Sequence, residues 1–369
     1  MNVLKRVFSD KVLWIAGAAA IITSFISPPQ LSDINWKTIT SLLSMMIIIQ
    51  IYDYLDLLKY YAAYLTRRAK TQQQLVFMLA NLAFFGAMFL TNDVTILTLV
   101  PLFYKITKSL KINPVYPVIL IALASNLGSI FTPFGNTHNL FLLTHFNLGI
   151  SQFFIMSLPI TIINYIAVFG VTKFFPKDKI ELHKLPEVDL NIPHLTLTLG
   201  VTVVIFLGIF SAIPMWASLV AALLLVVFIN PKILQVVDYS IVLIFMCFFI
   251  AVGNINRDPS IVNHLSGLIQ TKTGTYLTSI ITSQFISNVP TTILMSKFST
   301  NIHAIFLGTN IGGLGTVVAS LANLLAFKQY RYYFKGNAGK YMASFSIVNF
   351  TLLIILGTIG FFLIDLIPT

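Results

Sequence analysis

Residues 125–139 read Ser-Asn-Leu-Gly-Ser-Ile-Phe-Thr-Pro-Phe-Gly-Asn-Thr-His-Asn, and eleven of these fifteen are Gly, Pro, Ser, Thr, Asn or His. Largely apolar sequence flanks them on both sides, so they form a polar island in a segment long enough to cross a membrane. Gly128, Pro133 and Gly135 each weaken a continuous helix, Pro133 by removing a backbone donor. A helix broken at membrane depth leaves N–H and C=O groups that lipid cannot satisfy, so the break must be buried or must line a wet cavity. The expected element is a broken transmembrane helix over 114–145.

The rest of the chain demands the same environment. Of 369 residues, 57% are hydrophobic and 9% charged, and the mean hydropathy is +0.87; soluble domains carry roughly a quarter charged residues. The net charge of +11 resides in short loops between apolar runs, as membrane insertion produces, so nucleic acid is not the expected partner. The single Cys247 lies in an apolar run and forms no disulfide framework. The stretch after Lys5, Arg6 and Lys11 resembles a signal peptide, but the spans that follow make it a retained first helix. Crossings are expected at about 12–27, 36–52, 114–145, 151–172, 195–213, 215–230, 234–252, 302–327 and 341–366. No Walker-type loop, zinc-spaced His/Cys cluster or Ser/His/Asp arrangement occurs, which argues against ATP-driven transport by this chain alone.

Two further segments, 73–104 and 273–300, are apolar at both ends and polar at the centre, with Thr91-Asn92-Asp93 in one and Ser287-Asn288-Val289-Pro290 in the other. Basic residues flank both ends of each, which fits a re-entrant hairpin better than a crossing. With both as hairpins and the N-terminus in the cytoplasm, 19 of the 23 Lys and Arg fall on the cytoplasmic side. That bias sets the orientation and leaves the C-terminus outside. Segments 53–69 and 255–270 mix charge with apolar residues and are expected as interfacial helices, 53–69 alternatively continuing the preceding span. Lys328 to Tyr341, aromatic and basic, is expected as a cytoplasmic surface anchor. The linker 173–194 holds both glutamates, Glu181 and Glu187, and divides the chain into halves at 1–172 and 195–369.

A shift of 184 lays Ser125-Asn126-Leu127-Gly128 over Thr309-Asn310-Ile311-Gly312 and keeps Thr132 over Thr316 and Asn139 over Asn323. A shift of 196 lays Phe89-Leu90-Thr91-Asn92 over Phe285-Ile286-Ser287-Asn288. Each half therefore has a hairpin followed by a broken helix, and the charge count makes the halves run in opposite directions. Many carriers are built so, with half-helix N-termini for anions and unwound carbonyls for Na⁺; the bland alternative is that Gly and Ser merely permit close helix packing. Asp93, in the first hairpin tip, either binds a cation or proton or caps the returning helix. His138, opposite Ala322 in the other half, is a structural hydrogen-bonding residue or a proton carrier.

The run Phe89 to Pro101, with Ser125 to Asn136, Ser287-Asn-Val-Pro290 and Thr309-Asn-Ile-Gly-Gly313, resembles the ion transporter superfamily of citrate permeases, arsenite permeases and sodium/proton antiporters. The resemblance implies an all-α polytopic protein of two inverted repeats, commonly a homodimer, working as an elevator in a prokaryotic plasma membrane. By motif, Asn92 and Asn126 would line one Na⁺ site, and Asn288 and Asn310 its mirror. Val317-Val318-Ala319 replaces the Pro-x-Gly that follows Thr132, which argues against fully symmetric sites. The expected binding set is Thr91, Asn92, Asp93, Ser125, Asn126, Thr132, Asn136, Ser287, Asn288, Thr309, Asn310 and Thr316. The expected function is secondary-active transport of a small inorganic or organic anion, with Na⁺ or H⁺ as coupling ion and no other cofactor. A sodium/proton antiporter, a channel and an intramembrane enzyme are the alternatives.

Overall fold

The computed structural model describes residues 7–8, 10–66, 68–108, 110, 112–180 and 189–366; Glu181 and Glu187 lie outside them. These residues form seventeen α-helices and two short 3₁₀ turns. The only β-type pairing among them is an isolated bridge from Thr71 to Lys179. It ties the start of the inter-half linker to the base of the first hairpin.

Helices α1 (Lys11–Thr23) and α2 (Trp36–Tyr54) come first. Asp10 caps α1 by accepting from Val12 and Leu13 N–H, and Asn35 caps α2 through Thr38 N–H. At thirteen residues, α1 is about 20 Å long, short of a hydrocarbon core of about 30 Å, so the expected crossing at 12–27 is only partly helical. Helix α3 (Leu57–Thr66) continues α2 after a 46° bend, which realises the expected 53–69 element as the second limb of a bent pair.

The first hairpin is α4 (Gln72–Leu90) and α5 (Asn92–Thr107), and the broken helix is α6 (Val115–Gly128) and α7 (Thr137–His145). Helix α8 (Ile150–Thr172) completes this half. The second half opens with α9 (Ile192–Ile209), α10 (Met215–Ile229), α11 (Tyr239–Asn256) and the short α12 (Pro259–Ile269). Its hairpin is α13 (Lys272–Ile286) and α14 (Asn288–Phe298), its broken helix α15 (Ile302–Gly312) and α16 (Leu321–Phe334), and α17 (Ala338–Leu366) ends the chain. The aromatic, basic run from Lys328 is not a separate surface segment: up to Phe334 it prolongs α16, which stops where Lys335 turns left-handed. There Tyr104 of α5 packs on Tyr333 and Phe334 at ring separations of 5.3 Å.

The breaks of the two long helices fall at equivalent positions. Helices α6 and α15 end at Gly128 and Gly312, and α7 and α16 begin at Thr137 and Leu321, all at the shift of 184. Glycine is required at both ends of the first limbs because a hairpin arm runs against them. A Cβ on Gly128 would lie 2.0 Å from the Phe84 carbonyl oxygen, and one on Gly312 would lie 2.9 Å from Ser283 Cβ. The second limbs cross over: α16 packs on α5 of the first hairpin, and α7 on α14 of the second. Four elements from two halves thereby form one interlocked body.

Helices α2, α9 and α10 pack on one another beside this body, while α1 lies along α11. Arg257, at the end of α11, fastens the latter pair. It binds Asp33 at 2.9 Å, Ser27 Oγ at 2.6 Å and the Pro28 carbonyl at 2.9 Å. By length and hydropathy, α4, α8, α9, α11 and α17 suffice to cross a membrane, and the bent α2–α3 pair makes a sixth.

Candidate functional site: two hairpin tips at one cavity

Each hairpin turns on a single residue held in the same rare conformation, Thr91 at φ 65°, ψ 154° and Ser287 at φ 75°, ψ 156°. This region is essentially reserved for glycine, and a side chain there costs about 1–3 kcal/mol, a strain that collects at functional sites. The breaks of the long helices hold both tips in place. Asn92 N–H donates to Gly135 C=O at 3.1 Å, and Asn288 N–H donates to Ala319 C=O at 2.9 Å. The Thr132 hydroxyl donates to the Met88 carbonyl and accepts from Gly135 N–H; the Thr316 hydroxyl donates to the Gln284 carbonyl at 2.9 Å and accepts from Ala319 N–H. The missing Pro-x-Gly in the second half therefore does not disturb the backbone: Ala319 supplies the same carbonyl as Gly135.

Side chains clasp the halves together. Asn126 Nδ2 donates to Asn323 Oδ1 at 2.7 Å, and at the equivalent place Asn310 Nδ2 donates to Asn139 Oδ1 at 2.8 Å. Asn323 and Asn139 in turn bind carbonyls exposed by their own breaks, Gly313 and Thr316 in one case, Ser129 and Ile130 in the other. This is how two interrupted helices remain satisfied at membrane depth. Symmetry ends at the amide oxygens. Asn126 Oδ1 accepts from Asn92 Nδ2 and Ser320 Oγ, whereas Asn310 Oδ1 faces His138 Nε2 at 3.1 Å. Because Asn310 Nδ2 is engaged with Asn139, its oxygen accepts, and His138 donates through Nε2.

A cavity of about 400 Å³ lies where the tips meet. Asn92, Asp93, Asn136, Ser287 and Asn288 line it, with Ser320 at the second break. Ile241, Ile244, Phe245 and Phe248 of α11 form the facing wall. The N-terminal ends of α5, α14, α7 and α16, and that of α1 with its cap Asp10, line this space, each carrying about half a positive charge; at α5 the first N–H groups are already taken, Asn92 by Gly135, Asp93 by Asn92 Oδ1 and Val94 by Thr91. No Lys or Arg among the described residues lines it; its ionisable groups are Asp93 and Asp10. A second cavity shares Asp10, Asp93 and Thr137, includes Thr91, and reaches Asp238 and Lys328.

Of the expected binding residues, Asn126, Ser125, Thr132, Thr309, Asn310 and Thr316 stand behind the cavity wall. The Thr309 hydroxyl donates to the Ile305 carbonyl of its own helix. Thr91, not Asp93, caps α5, its hydroxyl accepting from Val94 N–H. Asp93 occupies the first turn with a buried Oδ1 that has no hydrogen-bond partner among the described residues, as do Ser125 Oγ and His138 Nδ1. The amide oxygens of Asn92, Asn126, Asn288 and Asn310 all accept hydrogen bonds, whereas Asp93, which lines the cavity, keeps a buried carboxylate oxygen without a partner among the described residues. Asn139, Asn323 and the α11 wall were not among the expected site residues, although the 184-residue shift pairs Asn139 with Asn323.

An uncharacterized transporter of Methanocaldococcus jannaschii is 29% identical over 85% of this chain and 86% of its own length. The inner membrane protein YbiR of Escherichia coli is 27% identical over 91% and 89%. A putative transporter, arsB, of Dictyostelium discoideum is 27% identical over 40% of this chain and 27% of its own length. The crystal structure of the Alcanivorax borkumensis YdaH transporter superposes with a TM-score of 0.53 at 11% identity, covering 88% of this chain and 85% of that one. A family model described as citrate transporter, CitMHS, matches residues 2–304. The chain therefore belongs to the CitMHS citrate transporter family: it is an integral membrane transporter, not an enzyme.

Proposed function

We infer that the protein is a secondary-active carrier of a small anion, driven by a gradient of H⁺ or Na⁺ and working by alternating access. One observation carries this: the tips of both hairpins and the breaks of both long helices line a single cavity. The positive ends of the helices that begin at this cavity favour an anion there without a Lys or Arg. Asn92, Asp93, Asn136, Ser287 and Asn288 contact the solute. Asn126, Asn310, Thr91, Thr132 and Thr316 hold those groups in position. Asp93 takes the coupling cation.

The interlocked hairpins and broken helices form the moving body of an elevator, and α2, α9 and α10 form the part it moves against. The clasp of Asn126 with Asn323 and Asn310 with Asn139 supports movement as one unit. The repeats extend over 1–172 and 195–369 and are inverted in the membrane, with the N-terminus cytoplasmic, the C-terminus outside, and two copies in the assembly. In that orientation the second cavity, which reaches Asp238 and Lys328, opens Asp93 to the cytoplasm. The free carboxylate oxygen of Asp93 also favours a second reading, cation/proton antiport.

Proteoliposomes separate the two. Anion uptake that rises above equilibrium only under an imposed H⁺ or Na⁺ gradient supports the carrier. Na⁺ flux coupled to pH in the absence of any candidate anion replaces it with the antiporter.

A further inference from the structure

The second cavity, of about 550 Å³, lies along a seam that the helices beside the interlocked body leave open. Helices α2 and α11 pack on each other, α2 also packs on α7, and α11 on α14; neither packs to that extent on α5 or α16. The cavity fills this gap. Gln50, Asp238 and Ser240 line it from α2 and the start of α11, and Leu97, Leu325 and Lys328 line it from α5 and α16. In the orientation proposed above, the gap is on the cytoplasmic side.

The corresponding seam on the outer side is latched where the first turn of α2 meets the end of α7. The Thr38 and Thr144 hydroxyls share a buried hydrogen bond of 2.7 Å, and Lys37 Nζ donates to Asn147 Oδ1 at 3.0 Å. The inverted repeat carries both sides of this latch to the second cavity. The shift of 184 lays Thr144 and Asn147 over Lys328 and Arg331. Helices α2 and α11 each start after a side-chain cap, Asn35 and Asp238, and a shift of 203 lays Asn35-Trp36-Lys37-Thr38 over Asp238-Tyr239-Ser240-Ile241. The first turn of α11, with Asp238, thus corresponds to the α2 side of the latch, and Lys328 to the α7 side. In this structure that second latch is undone: the ion pairs among the described residues are Lys59 with Asp56, Arg257 with Asp33 and Lys272 with Asp365, and Asp238 and Lys328 form none. Asp93 also lines the cavity, but it sits on α5, which packs on α16 and moves with Lys328.

On the reading of the protein as an elevator, we propose that Asp238 and Lys328 are positioning residues of the alternate state. They close as an ion pair on the cytoplasmic side when the latch of Thr38 with Thr144 and Lys37 with Asn147 opens outside. The latches exclude each other because α7 and α16 belong to one moving body, while α2 and α11 stand still.

The test is mercuric-ion crosslinking of the full protein in nanodiscs, with Cys247→Ser as background. Ser240→Cys with Leu325→Cys reports the approach of α11 to α16 and leaves both charges in place; Thr38→Cys with Thr144→Cys, in a separate protein, reports the outer latch. Thr38→Ala, which removes one hydrogen bond of the outer latch, should speed the α11–α16 crosslink about fivefold. Asp238→Lys should slow it about tenfold by bringing like charges together, without slowing the outer crosslink, whose retention shows that the variant folds. Adding Lys328→Asp should restore most of the parent rate. An α11–α16 crosslink indifferent to Thr38→Ala, or a charge swap no faster than Asp238→Lys alone, overturns the proposal. If Asp10→Lys slows the crosslink and Lys328→Asp reverses that effect, while Asp238→Lys does nothing, the partner is on α1 and the proposal is likewise overturned. Gradient-driven anion uptake by the parent in proteoliposomes tells these failures apart from failure of the carrier reading: with uptake present only the latch is removed, and with uptake absent the carrier is.

Discussion

Replacing Asn323 by alanine perturbs the clasp at its strongest point. The residue is fully buried. Its Nδ2 donates to the Gly313 carbonyl at 2.9 Å and the Thr316 carbonyl at 3.1 Å, and its Oδ1 accepts from Asn126 at 2.7 Å. Three well-formed bonds at about 1 kcal/mol net each give a loss of about 3 kcal/mol. Asn139 holds the equivalent place, but its donated bonds are 3.4 and 3.5 Å long and only the bond from Asn310, at 2.8 Å, is short. Bonds of that length contribute little, so Asn139→Ala should cost about 1.5 kcal/mol. The assay is denaturant unfolding of the two variants in nanodiscs, with a double-mutant cycle between Asn126→Ala and Asn323→Ala. The expected coupling is about 1 kcal/mol, within the range of hydrogen bonds between helices inside membranes. If Asn139→Ala destabilises as much as Asn323→Ala, or if the cycle shows no coupling, the clasp does not bind the halves as described.

Other consequences can be checked separately. Gly128→Ala places a methyl group against the Phe84 backbone, where no side chain can yield, and should cost more than 3 kcal/mol or abolish the monodisperse folded species. Gly17→Ala, which meets nothing within 4 Å, should leave size-exclusion profiles unchanged. Arg257→Ala removes the fastening between α11 and the 27–33 loop and leaves Asp33, whose side chain is 11% exposed, without its ion pair; a loss of about 2 kcal/mol is expected in thermal melts. Asp93→Asn should remove the dependence of solute uptake on H⁺ or Na⁺, measured by uptake in proteoliposomes under imposed gradients.

Much of the fold can be read from local rules. The polar island at 125–139 and the doublet Thr91-Asn92 announce a break and a turn because Gly, Pro and clustered polar residues weaken a helix in the middle of apolar sequence. The shifts of 196 and 184 lay Asn92 over Asn288 and Gly135 over Ala319, and the backbone bonds repeat accordingly, Asn92 to Gly135 and Asn288 to Ala319. What local rules missed is set by contacts across the halves. Asn139 and Asn323 look like polar residues at the start of a helix until α7 packs on α14 and α16 on α5. Nor does a Thr or a Ser announce a φ of 65° or 75°, since only the bonds from the facing break make that conformation tolerable. The helical limit at Phe334 was hidden because aromatic and basic residues suit both a membrane surface and the end of a packed helix. The apolar wall from α11 comes from a span no more and no less apolar than α8 and α9, each with a mean hydropathy of 2.0.

The central claim is that two hairpin tips, 196 residues apart in sequence, share one solute. Solute affinity measured on Asn92→Ala and Asn288→Ala, each selected for cooperative unfolding, tests it most directly. Each substitution alone should weaken binding of the same transported solute by tenfold or more, because Asn92 and Asn288 line one cavity. Full affinity for every transported solute in one variant, with loss in the other, would mean that the tips serve separate sites.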